Sequence, residues 1–274
     1  MRSDHTALLL STRFFSPGLF SATFSSPRLA GEIAPGQFVM LDLPGRIRPY
    51  LRRAYSVADA DPGRGEVEFL VKTIGAGTAA LESLRAGQDA RLLGPLGNSF
   101  SLTGLPAGSR VAVVAGGIGA APFPLLWRAL RAGGWTGDFF FGGRTASDLA
   151  LSKRFAGVVA GDTYLATNDG SAGEAGFVTD LFARHAASGG YARVFACGPM
   201  PMFAALARVV ERLQLSAEFS TEAEMGCGFG VCLGCVIPGR HTPYLVSCQE
   251  GPILPPERID WSQVTGGSQV TGDR

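Results

Sequence analysis

The chain has 274 residues, a formal charge of +1 and an apolar fraction of 46%. This length allows two modest domains plus a small appendage, and the near-zero charge provides no global field that would attract nucleic acid or anionic lipid. The sequence contains no apolar run of membrane-spanning length and no secretory signal at its start, so we expect a cytoplasmic protein without membrane or nucleic-acid partners.

The first hundred residues predict short strands separated by turns. Residues 36–41 form a turn into a strand, residues 54–58 form another strand, and residues 67–72 largely alternate as a half-buried strand does. Only residues 79–85 have a helical pattern. Many strands with one helix indicate an antiparallel β-barrel, which we assign to residues 1–104.

One strand of this barrel carries groups that suit a phosphate-containing ligand. Arg53 offers a planar guanidinium for phosphate, and Ser56 adds a hydroxyl. Tyr55, between them, can lie against an aromatic ring system. Taken alone, the same pattern also fits an ordinary surface strand.

A glycine turn follows the strand at residues 67–72. It contains Gly75 and Gly77, and Thr78 is predicted to be the N-cap of the next helix. Backbone amides at a helix N-terminus bind anions, so this turn predicts a pyrophosphate site. An ordinary glycine turn with a capping threonine is the alternative.

The pattern changes near residue 105, where apolar strands begin to alternate with helices. The strands are predicted at residues 111–115, 138–141 and 193–197, and the helices at residues 122–131, 179–185 and 201–213. This rhythm predicts a parallel sheet covered on both faces, an α/β domain that we assign to residues 105–215. The final residues, 262–274, have little to bury and predict a disordered tail.

A second glycine loop follows the first strand of the α/β segment. Gly116, Gly117 and Gly119 lie between strand and helix, and Pro122 stands in the first helical turn, where proline is favoured. Strand, glycine loop and helix form the arrangement that holds a dinucleotide phosphate, although the third glycine of the usual fingerprint is absent. A generic βα turn is the alternative.

The last strand of this segment ends in the turn made by Cys197, Gly198 and Pro199. A lone cysteine here is more often a core residue, but the carboxyl end of a parallel strand faces the ligand crevice. The sequence leaves NAD and NADP as alternatives. Arg144 could bind the 2′-phosphate of NADP, or it could be an ordinary exposed arginine.

Four of the five cysteines crowd into one glycine-rich segment. Cys227, Cys232 and Cys235 have the plant-type [2Fe–2S] spacing C-x4-C-x2-C, and Cys248 follows after twelve residues. The glycines allow the backbone to wrap a cluster and direct N–H groups at sulfur. Only one C-x2-C pair is present, so we favour a [2Fe–2S] module over residues 216–261, with zinc or unrelated thiols as alternatives.

In this order, these features resemble the ferredoxin–NADP reductase-like superfamily. The cysteine segment at residues 222–235, with residues 247–252, is similar to the electron transfer subunits of type B dihydroorotate dehydrogenase. For FAD, the resemblance implies binding by Arg53, Tyr55, Ser56, Gly75, Gly77 and Thr78. For NAD, it implies Gly116, Gly117, Gly119, Pro122, Cys197, Gly198 and Pro199. For the [2Fe–2S] cluster, it implies Cys227, Cys232, Cys235 and Cys248. The chain departs from the family at Ala115, which replaces the first glycine of the nucleotide loop.

The predicted cofactors indicate a converter between two-electron and one-electron carriers, without a catalytic nucleophile. By resemblance, its partner is an FMN-containing catalytic subunit that oxidises dihydroorotate to orotate in pyrimidine biosynthesis, in a heterotetramer. Electrons would then pass through the cluster and FAD to NAD+. The alternatives are a related reductase subunit, of a hydrogenase or a ferredoxin:NADP oxidoreductase, and a zinc-organised binding module without redox activity.

Overall fold

The computed structural model describes residues 3–43 and 50–264 of the chain. Within these ranges, two seven-stranded sheets and a two-stranded hairpin make up the β structure. None of the helices in the described ranges combines the length and apolar character needed to cross a membrane. Most of the predicted disordered tail, residues 265–274, lies outside the described residues.

The first sheet is antiparallel and barrel-like, as the sequence predicts. Its strands are β1 (Ser3–Ser16), β2 (Leu19–Ser25), β3 (Phe38–Asp42), β4 (Arg53–Ser56), β5 (Asp59–Asp61), β6 (Glu66–Lys72) and β7 (Asp89–Leu96). They are ordered β4-β3-β7-β1-β2-β6-β5. Along β6, Val67 and Phe69 point into the core, where Phe69 packs edge-on against Phe24.

Among the residues that the structure describes, two helices accompany this sheet, whereas the sequence predicts one. α2 (Ala76–Glu82) begins three residues before the helix predicted at 79–85. α1 (Pro27–Glu32) is not predicted, because six residues are too few to display a helical period. Proline at its first position is well placed for a helix start.

The second sheet is mainly parallel and confirms the predicted α/β architecture. Its first strands are β8 (Arg110–Gly116), β9 (Thr136–Gly143), β10 (Thr163–Thr167), β11 (Glu174–Ala175), β12 (Tyr191–Cys197) and β13 (Ala217–Ser220). The helices of this region are α3 (Phe123–Ala132), α4 (Ser152–Phe155), α5 (Val178–Ala186) and α6 (Met200–Arg212). Val113 of β8 packs in one core with Trp127 of α3, and the next residue, Val114, packs in another with Phe182 of α5. Helices therefore cover both faces.

The strand order places two predicted loops side by side. The sheet runs β11-β10-β9-β8-β12-β13, so the chain moves from β8 to β11 in one direction and returns to the other side of β8 with β12. A reversal of this kind opens a crevice at the carboxyl ends of the strands on either side. The loops after β8 and β12 meet at that point.

The cysteine segment, taken as the whole of residues 216–261, leaves the central sheet and returns to it. Beyond β13 come the hairpin β14 (Val236–Pro238) and β15 (Tyr244–Val246), the short helix α7 (Ser247–Glu250) and β16 (Ile253–Leu254). β16 pairs antiparallel with β13 and completes the seven-stranded sheet. Both β13 and β16 lie within the segment predicted as a cluster module, so this segment is anchored in the central sheet.

Asn98 fastens the barrel-like sheet to the same segment. Its amide group donates to the carbonyl oxygens of Glu250, at 3.1 Å, and Ile253, at 2.8 Å. Its carbonyl oxygen accepts from the Ile253 N–H at 2.9 Å. The cysteine segment is therefore bonded to both sheets, to the central sheet through β16 and to the barrel-like sheet through Asn98. These bonds hold it beside the space between the two sheets.

Candidate functional site

A cleft of about 250 Å³ lies where the two sheets and the cysteine segment meet. The barrel-like sheet and its loops line it with Phe38, Ala54, Tyr55, Ser56, Leu70, Val71, Lys72, Ile74 and Thr78. The remainder of the chain lines it with Ile118, Ala121, Ser220, Thr221, Glu222, Ala223, Met225 and Pro252. Residues predicted for FAD therefore face the nucleotide loop and the start of the cysteine segment across one space.

Tyr55 separates this cleft from a smaller groove. The tyrosine ring packs edge-on against Phe69, with ring centroids 6.2 Å apart, and burial raises its pKa to about 12. Arg53 and Gly77 line the smaller groove on the other side of Tyr55. The Arg53 guanidinium is exposed and donates to the Leu51 carbonyl oxygen at 2.7 Å. The groove offers a cation beside an aromatic ring, an arrangement suited to a phosphate ester.

Thr78 is not the N-cap of the helix that the sequence predicts it to be. Gly75 is the N-cap of α2, and Thr78 is the third residue of the helix. The Thr78 hydroxyl accepts hydrogen bonds from the Ile74 N–H at 2.9 Å and the Gly75 N–H at 3.1 Å. Thr78 therefore satisfies the amides that precede the helix, and the glycine turn is fixed from inside the first helical turn.

The two loops of the central sheet contact each other through glycine. A Cβ atom on Gly119 would lie 2.5 Å from the carbonyl oxygen of Cys197 and 2.7 Å from the Cα of Gly198. A Cβ on Gly116 would lie 2.9 Å from Pro199 Cδ. Distances this short exclude a side chain, so glycine lets the loop after β8 rest directly on the loop after β12.

Two further nucleotide-loop residues have distinct backbone roles. Gly117 adopts φ +55°, a left-handed conformation that favours glycine. Pro122 is buried and is the N-cap residue of α3, so it lies one residue before the helix and not in its first turn. The structure brings all seven residues predicted for NAD to one edge of the sheet.

Charged residues occupy the carboxyl ends of β9 and β10. The Arg144 N–H donates to Asp148 Oδ2 at 2.9 Å, and Lys72 of the barrel-like sheet donates to Asp148 Oδ1 at 2.6 Å. Asp169, which the sequence analysis did not single out, accepts from the hydroxyl and the N–H of Ser171. These bonds lower the pKa of Asp169 and keep it ionised. Asp169 could have been found as a residue at the carboxyl end of a strand, but that strand, β10, was not predicted from the sequence.

The four clustered cysteines form two pairs of thiols in the structure. The Cys232 thiol hydrogen-bonds with that of Cys227, and the Cys235 thiol with that of Cys248. Across residues 3–43 and 50–264, no three or more His, Cys, Asp or Glu side chains converge closely enough to hold a single metal ion. A [2Fe–2S] cluster with four cysteine ligands takes two thiolates on each iron, so a paired arrangement fits it.

Backbone N–H groups surround the first thiol. Those of Phe229, Val231 and Cys232 lie 3.4–3.5 Å from Cys227 Sγ. Burial raises the pKa of Cys227, but these donors outweigh burial and bring the pKa to about 6. The Cys248 N–H similarly donates to Cys235 Sγ at 3.4 Å. Donors of this kind stabilise thiolates and bridging sulfides.

An apolar layer separates the thiols from the cleft. Cys235 and Cys248 are buried against Phe38, Met40 and Leu96 of the barrel-like sheet, together with Met225 and other side chains of the cysteine segment. Phe38 and Met225 also line the cleft. The two buried thiols therefore lie behind one layer of apolar side chains that also faces the cleft.

Glu222, the first residue of the segment 222–235, lines the cleft without having been predicted as a site residue. Its side chain is exposed to the cleft, yet burial by the surrounding protein raises its pKa. It also contributes to the raised pKa of Cys197, which is chiefly an effect of burial of that thiol. No periodicity or spacing marks this glutamate, because its position depends on how β13 ends.

Family models match three successive parts of the chain. An oxidoreductase FAD-binding domain matches residues 11–100, and an oxidoreductase NAD-binding domain matches residues 113–208. The iron–sulfur cluster binding domain of dihydroorotate dehydrogenase B matches residues 222–260. The three predicted cofactors, FAD, NAD and an iron–sulfur cluster, are confirmed by these matches.

Curated relatives extend over almost the whole chain. The dihydroorotate dehydrogenase B (NAD(+)) electron transfer subunit of Bacillus caldolyticus is 38% identical, over 89% of this chain and 93% of the relative. The subunit of the same name from Desulforamulus reducens is 33% identical, over 93% of this chain and 97% of the relative.

Solved structures share the same fold. A structure of NADH-dependent reduced ferredoxin-NADP oxidoreductase aligns with a TM-score of 0.83 and 25% identity, covering 94% of this chain and 91% of its own. The ferredoxin reductase in carbazole 1,9a-dioxygenase aligns with a TM-score of 0.67 and 22% identity, covering 80% and 69%. The predicted ferredoxin reductase-like architecture is therefore confirmed.

Proposed function

The chain belongs to the family of dihydroorotate dehydrogenase B electron transfer subunits, and from this premise we propose that it carries electrons from a partner dehydrogenase to NAD+. The donor is the FMN of a catalytic subunit that oxidises dihydroorotate to orotate, and the route passes through a [2Fe–2S] cluster and FAD. The single observation that carries this proposal is the cleft. Three of the predicted FAD residues, Tyr55, Ser56 and Thr78, line it together with part of the nucleotide loop and the start of the cysteine segment.

Each group of site residues has a defined task in this proposal. The FAD phosphates would be held by the Arg53 guanidinium and by the backbone of the glycine turn at Gly75, Gly77 and Thr78, and Tyr55 and Ser56 would position the flavin ring in the cleft. Gly116, Gly117 and Gly119 would hold the nucleotide phosphates, next to Pro122 at the N-cap of α3. Cys197, Gly198 and Pro199 form the opposite wall for the nicotinamide. When bound, the flavin supplies exchange of either one or two electrons.

The cluster ligands in this proposal are the two thiol pairs. Cys227 and Cys232 would hold one iron, and Cys235 and Cys248 would hold the other. The buried pair lies against Phe38 and Met40 on the cleft side. The exposed Cys232 marks the side that faces outward. The cysteine segment therefore has one edge toward the flavin and another toward a partner.

The cysteine segment also exposes four large apolar side chains: Val231 and Leu233, which flank Cys232, and Val236 and Tyr244 of the hairpin. We refer to these four side chains as the apolar patch. Four large apolar side chains beside an exposed cluster ligand are costly in water and typical of a protein interface. We propose that this patch contacts the FMN-containing subunit in a cytoplasmic heterotetramer, which brings the cluster within reach of the FMN.

Expression of the chain alone and with its partner tests the proposal. Alone, it should show FAD and [2Fe–2S] spectra and pass electrons from NADH to artificial acceptors, without oxidising dihydroorotate. With the partner present, dihydroorotate-dependent reduction of NAD+ should appear. Dihydroorotate oxidation by the isolated chain contradicts the proposal, and so does a colourless protein that contains zinc.

We expect Arg53→Ala to weaken FAD binding by about 10- to 100-fold, because a charge-assisted hydrogen bond to phosphate is lost. The measurement is calorimetric titration of the FAD-depleted protein with FAD. The matched control is Arg52→Ala, since Arg52 is engaged with Asp4 at 2.9–3.0 Å. Equal FAD affinity in the Arg53→Ala variant and the wild type would contradict the phosphate role.

Asp169 is expected to favour NAD+ over NADP+. Its ionised carboxylate lies at the carboxyl end of β10 beside Arg144, where it repels a 2′-phosphate. Asp169→Asn should increase the ratio of kcat/KM for NADPH to that for NADH by about 10-fold, a typical value for removing one like-charge contact. Asp162→Asn, before the start of the same strand, should leave the ratio unchanged. An unchanged ratio in Asp169→Asn would assign nucleotide selection to other residues.

A further inference from the structure

The proposed electron route requires a proton exchange that its carriers do not provide. A nicotinamide gives or takes two electrons together with one proton, as hydride. An iron–sulfur cluster gives or takes electrons alone. For every two electrons that pass between cluster and nicotinamide, one proton must therefore be exchanged between the flavin ring and solvent. A titratable side chain in the cleft is the natural route for this exchange.

The fold holds Glu222 firmly at this cleft. Thr221 immediately before it is buried, and both its N–H and its hydroxyl donate to the Pro252 carbonyl oxygen at 2.8 Å. One residue earlier, Ser220 pairs in register with Cys197 at the carboxyl ends of β13 and β12. These contacts fix the backbone on the amino-terminal side of Glu222, and its side chain lines the cleft.

The other titratable groups around the cleft are unsuited to the exchange. Of the described residues that line it, Glu222 is the single carboxylic acid. Lys72 is engaged with Asp148 at 2.6 Å. Tyr55, with a pKa of about 12, keeps its proton, and so does Cys197, whose pKa burial raises well above its usual value. Glu222 combines access to solvent with a pKa that burial moves upward, closer to neutrality.

We propose that the Glu222 carboxyl exchanges the proton of the flavin ring with solvent, one proton for every two electrons that pass between the ring and the cluster. This inference rests on the proposed function. When NADH is the donor, hydride brings two electrons and one proton to the ring, the electrons leave singly for the cluster, and the proton passes to the Glu222 carboxylate and then to water. In the direction of NAD+ reduction, Glu222 takes a proton from water and delivers it to the ring.

Glu222→Gln tests this role, because glutamine keeps the shape but cannot exchange a proton. Hydride transfer from NADH to the flavin should continue in this variant, since hydride carries its own proton. Transfer from the reduced flavin to the cluster, followed by stopped-flow absorbance, should slow by about 100-fold. The solvent deuterium isotope effect on this step should be present in the wild type and in Glu224→Gln. Glu224 is an exposed glutamate two residues away that does not line the cleft, so it is the matched control.

A spectroscopic readout is independent of turnover. Infrared difference spectra between oxidised and reduced protein should contain a carboxyl C=O band that disappears in Glu222→Gln and remains in Glu224→Gln. Should Glu222→Gln fail to hold FAD, Glu222→Asp retains a carboxyl and should retain the band and the isotope effect. Absence of the band or the isotope effect in the wild type would overturn the inference. Normal flavin-to-cluster transfer in Glu222→Gln would do the same, and both results would leave the proposed function intact.

Discussion

Cys232→Ser is expected to abolish the [2Fe–2S] absorption and electron paramagnetic resonance signals while the chain keeps its FAD. A serine hydroxyl is a poor substitute for a thiolate ligand of iron. The Cys232 side chain is exposed, so the substitution removes a ligand without opening a cavity in the core. Reduction of FAD by NADH should therefore remain close to the wild-type rate.

The consequence for the assembled enzyme is large. Without the cluster, electrons from the partner subunit have no carrier to the flavin, so dihydroorotate-dependent reduction of NAD+ should fall below detection. The measurement combines an iron and acid-labile sulfide assay with stopped-flow reduction by NADH and the coupled assay with the partner.

Cys197→Ser is the matched control for this experiment. Cys197 lies at the end of β12, outside the cysteine segment. The Cys197→Ser protein should therefore retain its full content of iron and acid-labile sulfide. Two results would contradict the ligand assignment: a normal cluster signal in Cys232→Ser, or loss of the cluster in Cys197→Ser. Loss of FAD from Cys232→Ser would show that the cofactor sites depend on each other more than the contacts indicate.

The sequence predicted those parts of the fold whose burial pattern is regular. Residues 67–72 alternate and form β6, and the apolar run at 111–115 forms the buried strand β8. In contrast, β10 (Thr163–Thr167) has little apolar pattern, since only its last two residues are buried. The α1 helix was missed because a single turn and a half has no measurable period.

The site was predictable where chemistry requires a fixed spacing in the chain. The four clustered cysteines lie within 22 residues and are recognised from their intervals. Glu222 and Phe38 have no such signature, because they reach the cleft only through the packing of β13 and β3 around it. The prediction of Thr78 as the N-cap of α2 was wrong, because Gly75 is the N-cap and Thr78 binds its N–H from within the helix. Tertiary packing decides positions of this kind.

Gly119→Ala is expected to slow reduction of the flavin by NADH by about 100-fold or more while leaving the FAD and cluster spectra unchanged. The added Cβ would meet the Cys197 carbonyl oxygen at 2.5 Å, and this oxygen belongs to backbone that the pairing of β12 with β8 holds in place. The two loops must then separate by roughly 1 Å to reach an ordinary contact. Displacement on this scale costs about 100-fold in a reaction that depends on orientation, so kcat/KM for NADH should fall by at least this factor.

The control for this substitution is Gly31→Ala. Gly31 lies in α1, and a Cβ there would meet nothing within 4 Å, so alanine should preserve activity and slightly favour the helix. Reduction by dithionite should be the same in both variants, because it needs no nucleotide site. Wild-type kcat/KM for NADH in Gly119→Ala would mean that the nicotinamide binds elsewhere. Loss of dithionite-reducible FAD would instead mean that the contact between the two loops supports the whole cleft.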